Sequence, residues 1–152
     1  MLDEFLKDSK EKLETVKFEF GDKGNWYEVR HMQFKPYMTQ FDRIQNKFNK
    51  FKKSGQPINE QKERDAMTNC LVTHLLVDWK FTGTKSVLKK AFPDIETVAT
   101  KEKGVVEIPF TKANAYAILR DKRMAKLMQY IHINCADFEA FEKSNFEDDL
   151  KN

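Results

Sequence analysis

Any metal or acid–base chemistry in this chain of 152 residues has to start from three histidines, two cysteines and its carboxylates. His31, His74 and His132 stand too far apart for two of them to share one turn of helix. His132 and Cys135 are three apart and can share a helix face, but two ligands do not hold a metal without two more. Ser9, Ser54, Ser86 and Ser144 sit in charged or loop contexts without the glycine pattern of a nucleophile elbow. The five glycines are dispersed, and Thr82-Gly83-Thr84-Lys85 falls far short of a phosphate-cradling P-loop. Carboxylates are plentiful, yet nothing marks a buried pair with divided acid and base roles. No catalytic residue, metal site or cofactor is expected, and an enzyme is disfavoured. Cys70 and Cys135 lie among apolar neighbours and read as buried free thiols in a reducing compartment.

The totals describe a chain long enough to bury one core. Hydrophobic residues make up 40% and charged residues 34%, a globular balance rather than a disordered or membranous one. Net charge is only +3, with both signs interspersed along most of the chain, so a strong nucleic-acid binder is not indicated. The local exception is Lys47, Lys50, Lys52 and Lys53, a basic helix end where cations complement the dipole. Thirteen Phe read as core filling before they read as stacking platforms for bases. No run approaches 18 apolar residues, and MLDEFLKDSK is amphipathic and charged; a secreted or membrane-spanning protein is not expected.

These side chains need elements to position them. Residues 1–14 form an N-terminal amphipathic segment with Leu2, Phe5, Leu6 and Leu13 on one face. Val16, Phe18 and Phe20 alternate with Lys17 and Glu19, a turn follows at 21–25, and Trp26–Arg30 returns, predicting a β-hairpin over 15–31. Phe34, Tyr37, Met38, Phe41, Ile44, Phe48 and Phe51 then recur at helical spacing, with Pro36 in the first turn and a stop at Ser54-Gly55-Gln56-Pro57. Asn59 opens a second helix whose face carries Met67, Cys70, Leu71, Leu75 and Leu76 and runs to Trp79.

A long loop is expected over 80–104, with one short helix around Ser86–Phe92. Val105–Phe110 is extended, Pro109 bars it from a central strand, and Thr111 is the N-cap of a helix that breaks or restarts at Arg120-Asp121. The last helix is expected from about Asp121 to Glu142, with Met124, Leu127, Met128, Ile131, Cys135 and Phe138 inward, before an acidic flexible tail at 144–152. The fold class that follows is mainly α with some β, a bundle of about four helices carrying an N-terminal β-hairpin, as one domain over 15–143. Structural anchors are Trp26, Trp79, Pro109, Phe110 and Asn114. Leu2, Phe5, Leu6, Phe81 and Phe92 lie outside the two main helical stripes and are the candidate partner-binding residues.

The order of segments carries a resemblance. A Trp-containing strand (Trp26-Tyr27-Glu28-Val29-Arg30) precedes an apolar helix ending in LVDWKFTG at Leu76–Gly83. Gly104, Pro109-Phe110-Thr111, Asn114-Ala115 and Leu119 follow, then a last helix and an acidic tail closing on Lys151-Asn152. Over residues 15–152 this resembles the small tail assembly chaperones of long-tailed bacteriophages and prophages, with a longer stretch between Gly83 and Gly104 than that family has. The resemblance implies a non-enzymatic late protein of the host cytoplasm that coats the tape measure protein, helps recruit tail tube subunits and forms homo-oligomers. A structural minor tail or completion protein of the virion is the nearest alternative. A small nucleic-acid-binding regulator is a more distant one.

Overall fold

The computed structural model describes Leu2, residues 15–21 and residues 24–142. Phe5, Leu6 and the acidic tail lie outside the described residues. Among those described, five strands form one antiparallel sheet in the order β1-β2-β3-β5-β4. They are β1 (Thr15–Phe20), β2 (Asn25–Arg30), β3 (Leu76–Thr84), β4 (Val98–Ala99) and β5 (Val105–Ile108). The helices are α1 (Lys35–Lys53), α2 (Glu60–His74), α3 (Lys85–Ala91), α4 (Lys112–Leu119) and α5 (Ala125–Cys135), with a 3-10 turn at Lys122–Met124.

The expected four-helix bundle is therefore replaced by a sheet with helices packed on one face. Its N-terminal hairpin is present: Phe18 faces Tyr27 and Phe20 faces Asn25 across β1 and β2, with Gly21 and Gly24 at positive φ in the turn. The hairpin does not stand apart, because β2 continues into β3, where Tyr27 faces Trp79 and Trp26 faces Lys80. A bulge between Glu28 and Val29 against Leu76–Asp78 shifts the register there.

The second helix stops at His74, and Leu76–Thr84 is a strand rather than a helix end followed by a loop. Helical spacing of Leu71, Leu75 and Leu76 carried the expectation too far, since Trp79-Lys80-Phe81-Thr82 also satisfies a period of two. The stop has no local Gly or Pro. Its carbonyls are held from distant parts of the chain instead: Arg30 Nη1 donates to His74 O at 3.1 Å, and Lys112 Nζ to Val72 O at 2.6 Å and Leu76 O at 2.5 Å. Cations at a helix C-terminus also favour the dipole.

Against the expectation from Pro109, Val105–Ile108 is an interior strand flanked by β3 and β4, which is allowed because Pro109 lies just past its end. The capping signals hold. Asn59 Oδ1 accepts from Gln61 N and Lys62 N at the start of α2, and Thr111 Oγ1 accepts from Asn114 N at the start of α4. The chain breaks after Leu119 and restarts through the 3-10 turn. The last helix is shorter than expected, ending at Cys135. Asp137 Oδ1 then accepts from Ala140 N and opens a new helical turn, which leaves Phe138 half exposed instead of inward.

The core lies between one sheet face and the helices. Tyr27, Val29, Trp79, Phe81 and Ile108 meet Leu71, Leu75, Ala115, Ile118, Ile131 and Cys135 in one cluster. Trp79 stacks on Phe81 at 4.1 Å between ring centres, meets Phe110 edge-on at 5.2 Å, and donates its indole N–H to Ile108 O at 2.8 Å. The outward face is polar, with Lys17, Glu19, Asp78 and Lys80 exposed and Lys17 over the Trp26 ring at 4.2 Å.

Candidate functional site

Helix α5 buries Ile131 and Cys135 against the sheet and half-buries Leu127, which fills one stripe of its surface. Three further apolar residues fall off that stripe. Met128 is partly buried, while Tyr130 is 48% and Ile133 57% exposed. Beside them a groove of about 470 Å³ runs along α5, lined by Leu119, Ala125, Met128 and Ile133, with Arg64, Asp121, Gln129 and His132 among its polar members.

One end of this groove is fixed by an ion pair. Asp121 accepts from Arg123 N and Nε at 2.9 Å and from Nη2 at 2.7 Å. The side-chain and backbone hydrogen bonds from Arg123 hold the Asp121 carboxyl down at about 2. The same guanidinium donates to Ala91 O at 2.8 Å, tying the turn to the end of α3. A helix-bounded groove with Leu119, Ala125, Met128 and Ile133 on its floor and walls and polar residues beside them can take the apolar face of another helix. It presents no nucleophile with an adjacent base.

The other titratable groups support structure. Burial pushes the Cys70 thiol up to about 11 and the Cys135 thiol to about 12, so neither is a thiolate at neutral pH. Both cysteines are free and buried. His74 is pushed down by burial and then by Lys112 and Arg30, and its Nε2 pairs with Gln40 Oε1 at 2.5 Å. His31, lowered by burial, lies 4.3 Å from the Phe138 ring and 5.1 Å from that of Phe141. No group of three or more His, Cys, Asp or Glu among the described residues could hold a metal ion. Nor is any helix among them long and apolar enough to cross a membrane.

The residues singled out in the sequence scatter. Phe81 is 6% exposed on β3, inside the core, and Phe92 is partly buried under the Arg123 guanidinium at 5.1 Å. Leu2 is exposed, and Phe5 and Leu6 lie outside the described residues. Trp79, Phe110, Pro109 and Asn114 do come together: Asn114 Nδ2 donates to Pro109 O at 2.9 Å, bracing the turn that sets Phe110 against Trp79. Trp26 stands apart on the outward sheet face. The exposed apolar groove residue missed was Ile133, and a signal for it existed. It is an apolar position left over once Leu127, Ile131 and Cys135 are assigned inward.

The family model described as YdaY prophage protein matches residues 32–152, most of the chain and all of its helices from α1 onward. The chain belongs to the YdaY prophage protein family. It is therefore a prophage protein, and the match starts between β2 and α1, leaving the hairpin outside it. Comparisons with curated proteins and with solved structures return no match.

Proposed function

We propose that this prophage protein is a non-enzymatic tail assembly chaperone acting in the host cytoplasm, binding a helical client of the tape measure type and aiding recruitment of tail tube subunits. The observation that carries the reading is the α5 groove, where Ile133 stands exposed beside Met128 and Leu119. A long helical client repeats apolar residues at steps of three and four, the pattern such a groove accepts. Covering that pattern keeps an aggregation-prone chain soluble until its partners arrive. The family match and the segment order support the phage setting.

Co-expression with the prophage's large coiled-coil-rich product tests it. The client should be soluble and co-purify only when this protein is present, and purified particles should lack the protein. Retention in finished particles would make it a structural tail or completion protein. A client equally soluble alone would end the chaperone reading.

A further inference from the structure

A second surface is built on different chemistry. Helix α1 buries Tyr37 and half-buries Phe41, Ile44 and Phe48, so its outer side is free of core duty. That outer side carries Lys35, Arg43, Lys47, Lys50 and Lys53, with Asp42 the one acidic residue of the helix. At 3.6 residues per turn these five cations fall within about a third of the circumference, opposite Tyr37. Two adjoining hollows of about 680 and 560 Å³ lie along the helix and share Arg43 and Lys47.

The helix dipole accounts for Lys50 and Lys53 in the last turn. It does not account for Lys35, which sits at the N-terminal end where a cation is disfavoured, nor for Arg43 and Lys47. Ion pairing does not account for them either. Lys52 meets Glu63 at 3.8 Å, but among the described residues none of the five strip cations lies within 4 Å of a carboxylate. Five cations on one helix face, with no carboxylate within 4 Å of them among the described residues, repel one another, and a polyanion relieves that repulsion.

We propose that this outer face of α1 binds the phosphate backbone of nucleic acid without reading its sequence. Arg43, Lys47 and Lys50 follow one another at axial steps of about 6 and 4.5 Å, close enough for all three to reach one run of phosphates. Gln40, Asn46 and Gln56 line the same hollows and bring amide donors to phosphate oxygens. An acidic helical peptide fits less well, because it would need an apolar seam at steps of three and four, and the helix turns Tyr37, Phe41, Ile44 and Phe48 toward its core, with Phe51 the exposed apolar residue beside the strip. The site is separate from the α5 groove and stands whether or not the chaperone reading does.

Fluorescence anisotropy with a labelled 20-base-pair duplex, at salt concentrations from 50 to 200 mM, tests the proposal. The full chain should bind at 50 mM, and log affinity should fall against log salt with a slope near −3 to −4, as about four phosphate contacts require. The triple variant R43E/K47E/K50E, confined to an exposed face, should keep its circular dichroism and lose at least 100-fold in affinity. The charge-matched control K80E/K90E/K101E should lose less than 5-fold. Absence of binding at 50 mM would overturn the proposal, as would equal losses in both variants, which would reduce the effect to net charge. A polyglutamate chain that binds the strip tighter than the duplex does would overturn it in favour of an acidic protein partner.

Discussion

Replacing Trp79 with Phe tests whether β3 is a core strand rather than the end of a helix. The indole is 3% exposed and donates to Ile108 O at 2.8 Å across to β5. A phenyl ring keeps the stack on Phe81 but cannot donate. Loss of that hydrogen bond costs about 1 kcal/mol, rising toward 2 if the carbonyl is left without a partner. The smaller ring also gives up packing equivalent to one or two methylenes, at about 0.8 kcal/mol each. The sum is about 2–3 kcal/mol, a fall in Tm of roughly 5–10 °C for a chain of this size. Urea unfolding followed by far-UV circular dichroism should show a lower midpoint with an unchanged slope. The matched control is Trp26→Phe on the outward face, where the contact with Lys17 is worth about 0.5–1 kcal/mol. A loss below about 0.5 kcal/mol for Trp79→Phe, or equal losses at the two tryptophans, would refute the placement of Trp79.

Further predictions follow from single contacts. A Cβ at Gly83 would stand 2.9 Å from Leu88 Cδ1, so Gly83→Val should lower stability by about 1–3 kcal/mol in the same assay, and Gly83→Ala by less, because the Leu88 side chain can turn away. Both thiols should resist Ellman's reagent in the native protein at pH 8 and react fully in denaturant; fast native labelling would contradict their burial. His31 and His74 hold folded-state pKa values below the ordinary 6.5, so below about pH 6.5 the unfolded chain takes up protons first and stability falls with acid. His31→Phe, retaining the ring contacts with Phe138 and Phe141, should flatten the fall in Tm between pH 7.5 and 5.5, and an unaltered slope would remove His31 from that account.

Much of the local structure was legible because its signals are local. The alternation Val16-Lys17-Phe18-Glu19-Phe20, the caps Asn59 and Thr111, and the stop at Ser54-Gly55 each act within a few residues. The architecture was not, because its deciding contacts are long-range. The end of α2 is written in Arg30 and Lys112, which lie 36 to 44 positions from the carbonyls they hold. Without them, Leu75 and Leu76 extend an apolar helical face, and the strand that joins the hairpin to β5 disappears into it. Phe81 then reads as a loop aromatic when it is a core residue.

The groove was half-legible. Its apolar members are visible as a surplus on α5, but the wall supplied by Leu119 depends on how the turn at Asp121 folds back.

The most direct test of the central claim is the Ile133→Glu variant in co-expression with the coiled-coil-rich client. Ile133 is 57% exposed, so a carboxylate there leaves the fold intact while charging the groove. The expected variant keeps the wild-type Tm but no longer co-purifies with the client or keeps it soluble. A variant that still carries the client as well as the wild type does would show that the α5 groove is not the client-binding site.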